Sequence, residues 1–138
     1  MPYSAEKMFD LVADVERYHE FLPGWSEALI HERNADFLRV EQVLGFSGLR
    51  ICFSSRAIFR RPEYLRISAE PGPFRSLEIR WGFVDRGNVG CKVEVEVEYA
   101  LRSRLLGVVV APVFARAASE LLPRFEGRAR QLFDSHTV

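Results

Sequence analysis

The C-terminal part of the chain carries a long helical pattern that limits how the rest can fold. Between Ser103 and Phe133 apolar residues recur every three or four positions, which is typical of a helix with one buried face. A helix of about 20 residues is roughly 30 Å long, the width of a small domain. Because every strand-like segment precedes it, the sequence predicts a curved sheet closed over one C-terminal helix. The apolar positions are Val110, Val113, Phe114, Ala117, Ala118, Leu121, Phe125, Ala129, Leu132 and Phe133.

Two prolines interrupt this pattern. Pro112 suits the first turn of a helix, so residues 105–110 are predicted to form a separate turn or short helix. Pro123 lies well inside the pattern and has no backbone N–H, so we expect a kink near Ser119. A kinked helix either opens a cavity beneath it or is a tolerated irregularity. The sequence leaves both interpretations open.

Two short helices are predicted at the N-terminus. Ser4 is a suitable N-cap, and Glu6 places a carboxylate in the first turn, where it favours the helix dipole. A second helical piece, residues 15–21, ends before the breakers Pro23 and Gly24. The apolar cluster around these breakers is either a plug in the core or the apolar mouth of a pocket. It consists of Phe21, Leu22, Pro23 and Trp25.

From Ser26 onward apolar and polar residues alternate with a period of two. Five or six strands are therefore predicted, with turn-forming residues between them. They cover residues 26–33, 36–46, 49–60, 64–70, 75–84 and 91–99. Each has one apolar and one polar face, which is typical of antiparallel strands with one side in water. The order of elements indicates a single α+β domain with its helices on one face of the sheet.

The charge balance limits the class of partner. The chain has 19 Lys and Arg against 19 Asp and Glu. A net charge of zero argues against DNA as the partner, because nucleic-acid binding draws on phosphate neutralisation. With no signal peptide and no apolar run of about 18 residues, we expect a cytoplasmic protein. Cys52 and Cys91 fall in predicted strands and are expected to be buried or half-buried reduced thiols.

The residues that carry catalysis or bind metals are scarce. His19, His31 and His136 lack ligand spacing, and the chain has no zinc, P-loop or nucleophile-elbow motif. The carboxylates of residues 94, 96 and 98 share the polar face of one strand, where we expect them to be solvated. We therefore expect no enzyme activity, no catalytic residue, no metal and no cofactor.

Four polar side chains fall on the predicted apolar face of the sheet: Gln42, Ser55, Trp81 and Tyr99. Buried polar atoms need hydrogen-bond partners. These groups either bond to one another or to water, or they hold the head group of a mostly apolar ligand.

Several segments resemble the coenzyme Q-binding START-domain family of the polyketide cyclase/dehydrase and lipid transport superfamily. They are PYSAEKMFDLVADVERYHEFLP at 2–23, GFSGL at 45–49, GPFRSLEIRWGF at 72–83 and SRLLGVVVAPVFARAA at 103–118. The resemblance implies the helix-grip (START/Bet v 1-like) fold, with a hydrophobic tunnel between the sheet and the C-terminal helix. It implies binding of ubiquinone or a precursor by a carrier that supports respiratory electron transport.

The chain departs from this family in three places. A first strand usually precedes the PYS motif, so either the start is truncated or the sheet lacks an edge strand. Trp25 stands one position later than in the family's Phe-Leu-Pro-Trp pattern, which changes the expected shape of the pocket mouth. Pro123 and Gly127 are unusual in the closing helix.

Under the resemblance, we expect the ligand cavity to be lined by residues from the apolar face of the sheet and from the closing helix. The predicted cavity residues are Gln42, Leu44, Phe53, Ser55, Leu77, Trp81, Val95, Tyr99, Val113, Phe114, Ala117 and Leu121. The predicted mouth consists of Tyr18, Phe21, Leu22, Trp25, Leu105 and Leu106. The mouth is expected to touch the inner membrane transiently, with Arg102 and Arg104 facing anionic head groups.

Two other functions remain as alternatives. The resembling family includes bacterial ribosome-association toxins, which block the joining of ribosomal subunits. For that role the candidate RNA contacts are the arginines of the closing helix: Arg116, Arg124, Arg128 and Arg130. The third alternative is a cyclase or dehydratase, which the name of the superfamily suggests and no residue pattern supports.

Overall fold

A computed structural model of the chain describes residues 2–22, 24–46, 49–70, 72–101, 103, 108, 112 and 115–134. Helix α1 (Ala5–Ala13) and a 3₁₀ helix (Val15–Glu20) come first. Six strands follow: β1 (Trp25–Asn34), β2 (Phe37–Phe46), β3 (Leu49–Arg60), β4 (Tyr64–Ala69), β5 (Phe74–Asp85) and β6 (Cys91–Leu101). A short 3₁₀ turn, Gly87–Val89, separates β5 from β6, and helix α2 (Leu121–Phe133) closes the domain.

The six strands form one antiparallel sheet in the order β1-β2-β3-β4-β5-β6. Each strand pairs with its neighbour in sequence, as expected for strands joined by short turns. Most of the described residues on the inward faces of β2, β3 and β5 are buried, which confirms the α+β fold. Examples are Leu44, Phe53 and Phe83, which are at most 6% exposed.

Helix α1 begins as its sequence predicts. Ser4 lies before its first turn, and the Ser4 Oγ accepts a hydrogen bond of 3.2 Å from the Lys7 backbone N–H. Met8 and Val12 are almost fully buried, so one face of this helix packs into the core. At the other end of the chain, the Tyr3 hydroxyl donates a 2.7 Å hydrogen bond to Asp134, the residue after α2. The two ends of the described chain are therefore joined.

The C-terminal helical pattern is divided rather than continuous. Residues 108, 112 and 115–119 have helical backbone, Glu120 forms a turn, and α2 begins at Leu121. Pro123 lies in the first turn of α2, and the break at Glu120 is next to Ser119, where a kink was predicted. A first turn tolerates proline, since its N–H groups have no partner within the helix. The buried stripe of α2 is confirmed by Leu121, Phe125 and Ala129, which are at most 4% exposed.

The prediction for the two thiols is half wrong. Cys91 is buried, but Cys52 is exposed, because it lies on the outer face of β3 opposite Val43.

Among the described residues no helix is long and apolar enough to cross a membrane.

Candidate ligand cavity

A narrow apolar cavity lies between the inner face of the sheet and the segment formed by α1 and the 3₁₀ helix. Its volume is about 40 Å³, which is room for a few water molecules. The lining comes from α1, the 3₁₀ helix and β1 to β5. It consists of Val12, Ala13, Val15, Tyr18, Trp25, Leu38, Val40, Gln42, Leu44, Phe53, Ser55, Ala57, Leu65, Ile67, Leu77 and Ile79.

The polar groups of this cavity form one hydrogen-bonded chain. The Trp25 Nε1–H donates to Gln42 Oε1 at 2.9 Å, and Gln42 Nε2–H donates to Ser55 Oγ at 2.9 Å. The three residues lie on the adjacent strands β1, β2 and β3, which the antiparallel register brings side by side. Gln42 and Ser55 are 6% and 2% exposed, so the bonds lie inside the protein. Of the four polar groups predicted on the inner face, Gln42 and Ser55 bond to each other, and the third member of the chain is Trp25, which was predicted at the mouth. The ligand interpretation stays a prediction.

Tyr18 forms the wall of the cavity on the helical side. Its hydroxyl donates a hydrogen bond to the Val12 carbonyl, and the side chain is buried. Burial raises the pKa of the Tyr18 hydroxyl above its ordinary value, and the nearby Asp14 carboxylate raises it further. Tyr18 therefore stays protonated at physiological pH and acts as a neutral donor.

Seven of the predicted site residues meet at this cavity. Five come from the predicted cavity group, and the other two, Tyr18 and Trp25, were predicted at the mouth but form part of the wall. The five are Gln42, Leu44, Phe53, Ser55 and Leu77. The remaining mouth residues with described positions pack into the core, because Phe21 lies edge-on against Phe125 at 5.0 Å and Leu22 is 4% exposed.

Five other predicted residues do not line the cavity. Trp81 is covered by Phe125, whose ring centroid lies 5.1 Å from that of the indole. Leu121, the first residue of α2, is buried in the core. Val95, Tyr99 and Ala117 are half-buried outside the cavity, the first two on β6. The predicted residues Leu105, Leu106, Val113 and Phe114, together with Arg102 and Arg104, lie outside the described residues.

Sequence reasoning missed the part of the wall that α1 and the 3₁₀ helix supply. Val12 and Val15 were not predicted at a site, yet both line the cavity. Leu38, Val40 and Ala57 lie on two of the predicted strands and also line the cavity, but they were not predicted as site residues. A period of two identifies an inward face, but it does not say which inward residues surround a space.

A partly buried arginine joins α2 to the 3₁₀ helix. Arg128 Nη2 lies 2.5 Å from Glu20 Oε1, and the guanidinium lies over the Phe21 ring at 5.2 Å. The hydrogen bond from Arg128 lowers the pKa of the Glu20 carboxyl. Arg128 Nε is the one buried side-chain nitrogen or oxygen among the described residues that has no hydrogen-bond partner. This contact was not predicted, since the two residues are far apart in sequence.

The arginines proposed for RNA contact all form ion pairs. Arg116 and Arg124 share Glu120, Arg128 pairs with Glu20, and Arg130 pairs with Glu126. Three glutamates therefore balance most of the positive charge of these four arginines.

Two arginines on the outer face of the sheet differ from the four arginines of the closing helix in their partners among the described residues, which are aromatic rings and not carboxylates. Arg56 lies over the Phe37 ring at 5.3 Å, and Arg66 lies over the Tyr64 ring at 5.0 Å. Both are exposed, and no carboxylate pairs with either of them in the described part of the chain. Ile58 lies directly opposite Arg66 and is 56% exposed. We call this outer-face group, Phe37, Arg56, Ile58, Tyr64 and Arg66, the arginine–aromatic patch.

Within the described ranges, no group of three or more His, Cys, Asp or Glu residues is arranged to hold a metal ion. The polar groups that face the cavity are an amide, an indole and two hydroxyls. This arrangement can hold a neutral polar group by hydrogen bonds.

Comparison with known proteins agrees with this architecture. The ribosome association toxin RatA of Pseudomonas aeruginosa is 32% identical over 133 residues, which cover 96% of this chain and 92% of that protein. The mitochondrial coenzyme Q-binding protein coq10 of Schizosaccharomyces pombe is 26% identical over 136 residues, covering 94% of this chain and 82% of coq10.

A solved structure shares the fold at low sequence identity. The Zhui aromatase/cyclase of Streptomyces sp. R1128 matches with a TM-score of 0.81 and 14% identity, over 98% of this chain and 92% of that chain. This match confirms the START-like helix-grip fold. The family model described as polyketide cyclase/dehydrase and lipid transport matches residues 1–126. The chain therefore belongs to the polyketide cyclase/dehydrase and lipid transport family.

Proposed function

We propose that this protein binds a prenylated lipid, ubiquinone or a precursor, as a carrier that supports respiratory electron transport. The observation that carries the proposal is the cavity: an apolar wall surrounds one short polar chain, the usual composition of a site for a mostly apolar ligand. The relative named as a coenzyme Q-binding protein supports the choice of quinone. Each CH₂ of a prenyl tail that leaves water contributes about 0.8 kcal/mol to binding.

The size of the cavity has a consequence for binding. The cavity has room for only a few water molecules, so we expect its walls to move apart when a quinone with its prenyl tail enters. Association is slower when binding requires such a conformational change. We therefore expect slow uptake of quinone followed by slow release.

Binding rather than catalysis is proposed because of the groups at the site. Among the described residues that line the cavity, the only titratable side chain is Tyr18, whose pKa is raised by burial. A neutral phenol whose proton is bonded to a backbone carbonyl is a poor general acid or base near neutral pH.

The test uses vesicles that contain ubiquinone and, as a control, vesicles of the same lipids without it. After incubation, the protein is separated from the vesicles, examined by native mass spectrometry and extracted with organic solvent. We expect a quinone mass on the wild type and a smaller amount on Ala57→Leu, which adds bulk to the cavity wall. Ala100→Leu, on the face of β6 that carries Glu98, is the matched control. Uptake of no quinone by folded wild-type protein contradicts the proposal.

A second candidate function is association with the ribosome. It is supported by the name of the Pseudomonas relative and by the arginine–aromatic patch, whose free guanidinium groups are suited to phosphates and whose rings are suited to bases. We propose this patch, rather than the closing helix, as the RNA contact.

Sedimentation with purified ribosomal subunits tests this candidate. The variant Arg56→Glu/Arg66→Glu is expected to lose co-sedimentation, whereas Arg116→Glu/Arg124→Glu changes two arginines that already pair with Glu120. Equal binding by both variants contradicts the assignment to the patch. Absence of wild-type binding at low salt contradicts the function itself.

A further inference from the structure

We infer that the polar end of the cavity is short of hydrogen-bond acceptors and therefore favours a ligand with a carbonyl head group. The inference rests on the proposed lipid-binding function and narrows the class of ligand. It predicts that the site binds the oxidised form of a quinone more tightly than the reduced form, in which hydroxyl groups replace the carbonyls.

The orientation of the Gln42 amide is determined by Trp25. An indole N–H is a donor and has no acceptor atom. Its partner at 2.9 Å must therefore be the Gln42 oxygen, since the rotated amide would place two donors against each other. The Gln42 NH₂ group then points to Ser55 Oγ, 2.9 Å away.

This orientation leaves two hydrogens without an acceptor. Gln42 Nε2 carries two hydrogens and uses one for Ser55, and the Ser55 hydroxyl keeps its own hydrogen. No hydrogen bond between described residues takes up either hydrogen. The oxygens of Gln42 and Ser55, by contrast, each already accept one bond.

Burial makes this shortage matter. Ser55 and Gln42 are 2% and 6% exposed, so the missing acceptor must come from inside the cavity, either from an enclosed water molecule or from a ligand that replaces it. A buried donor without a partner is costly, whereas a carbonyl oxygen with one bond is nearly satisfied. A ligand carbonyl accepts from both free hydrogens and brings no donor of its own. A hydroxyl head group also accepts, but its own hydrogen then needs a second lone pair of the Gln42 or Ser55 oxygen, each of which already accepts one bond.

The experiment compares ubiquinone with a two-isoprene tail and its quinol, kept reduced under anaerobic conditions. Isothermal titration gives the Kd of each. We expect the wild type to bind the quinone about fivefold or more tightly than the quinol, the effect of about one hydrogen bond. In Gln42→Met/Ser55→Ala the two free hydrogens are removed, and the ratio is expected to fall towards one. Ser54→Ala, one residue away on the other face of β3, is the control.

A second readout does not depend on the folding of a buried variant. In wild-type protein labelled with ¹⁵N, quinone binding is expected to shift the Gln42 side-chain amide resonance, whereas the quinol shifts it less. Equal affinity for quinone and quinol, or an unmoved Gln42 amide with bound quinone, overturns the inference and leaves the lipid-binding function intact. If neither form binds, the proposed function fails and the inference falls with it.

Discussion

Phe125 of α2 packs edge-on against Trp81 of β5, with ring centroids 5.1 Å apart and ring planes at 79°. The same ring lies 5.4 Å from Tyr18 and 5.0 Å from Phe21. One side chain therefore joins the closing helix, the sheet and the 3₁₀ helix beside the cavity. Its position explains why Trp81 does not line the cavity: the indole is already covered.

Replacing Phe125 with alanine is expected to be strongly destabilising. The ring is 1% exposed, and truncation of such a residue costs about 3–5 kcal/mol of unfolding free energy. Urea denaturation followed by circular dichroism measures the change. The matched control is Leu122→Ala, because Leu122 lies in the same turn but is only half-buried. We expect it to lower the unfolding free energy clearly less than Phe125→Ala does. Similar losses in both variants would mean that Phe125 has no special role.

The Arg128–Glu20 pair is expected to make stability depend on acid. The pKa of Glu20 is lower in the folded protein than in the unfolded chain. The ion pair therefore makes its full contribution to the free energy of unfolding at pH values above the ordinary glutamate pKa. That contribution disappears as the pH falls through the lowered, folded-state pKa. The stability difference between wild type and Glu20→Gln should therefore be largest near neutral pH and vanish in acid. Denaturation midpoints measured from pH 7 downwards test this.

The control for that experiment is Glu16→Gln. Glu16 pairs with Arg33 at 3.4 Å, and both side chains are more than half exposed. Exposed pairs contribute about 0–1 kcal/mol. If the stability difference between wild type and Glu20→Gln did not vary with pH, the stabilisation would not come from the charge of Glu20.

Loss of the cap of α1 is expected to have a moderate effect. Ser4→Ala removes the Oγ that accepts from the Lys7 N–H, which costs about 1 kcal/mol. Thermal unfolding of the two proteins gives the difference. Ser4→Asp, which keeps an acceptor at the N-cap, should restore most of the stability, and its failure to do so would contradict the capping role.

The two thiols are expected to react at very different rates. Cys52 is exposed, whereas Cys91 is 3% exposed and burial raises its pKa, which lowers the fraction of reactive thiolate. Treatment of folded protein with iodoacetamide should therefore modify Cys52 and leave Cys91 largely unmodified. Peptide mass spectrometry locates the label, and unfolded protein, in which both thiols should react, is the control. Equal labelling in the folded state would contradict the described burial.

The regular parts of the fold could be predicted because their signals are local. Alternation with a period of two identified the strands and the inward faces that carry Leu44, Phe53 and Ile79. A serine before an apolar stripe identified the start of α1. Within the site, Gln42 and Ser55 were found because polar residues on an inward face stand out from their neighbours.

The rest depended on contacts between distant residues. Periodicity does not predict that Phe125 packs over Trp81. It does not predict the Arg128–Glu20 ion pair either. Both contacts depend on where α2 lies on the sheet. The same is true of the free guanidinium groups of Arg56 and Arg66. The sequence by itself determined which residues turn inward, since side-chain direction follows from the local backbone. Only the tertiary structure decided which of them meet around a space, because that depends on strand register and helix packing.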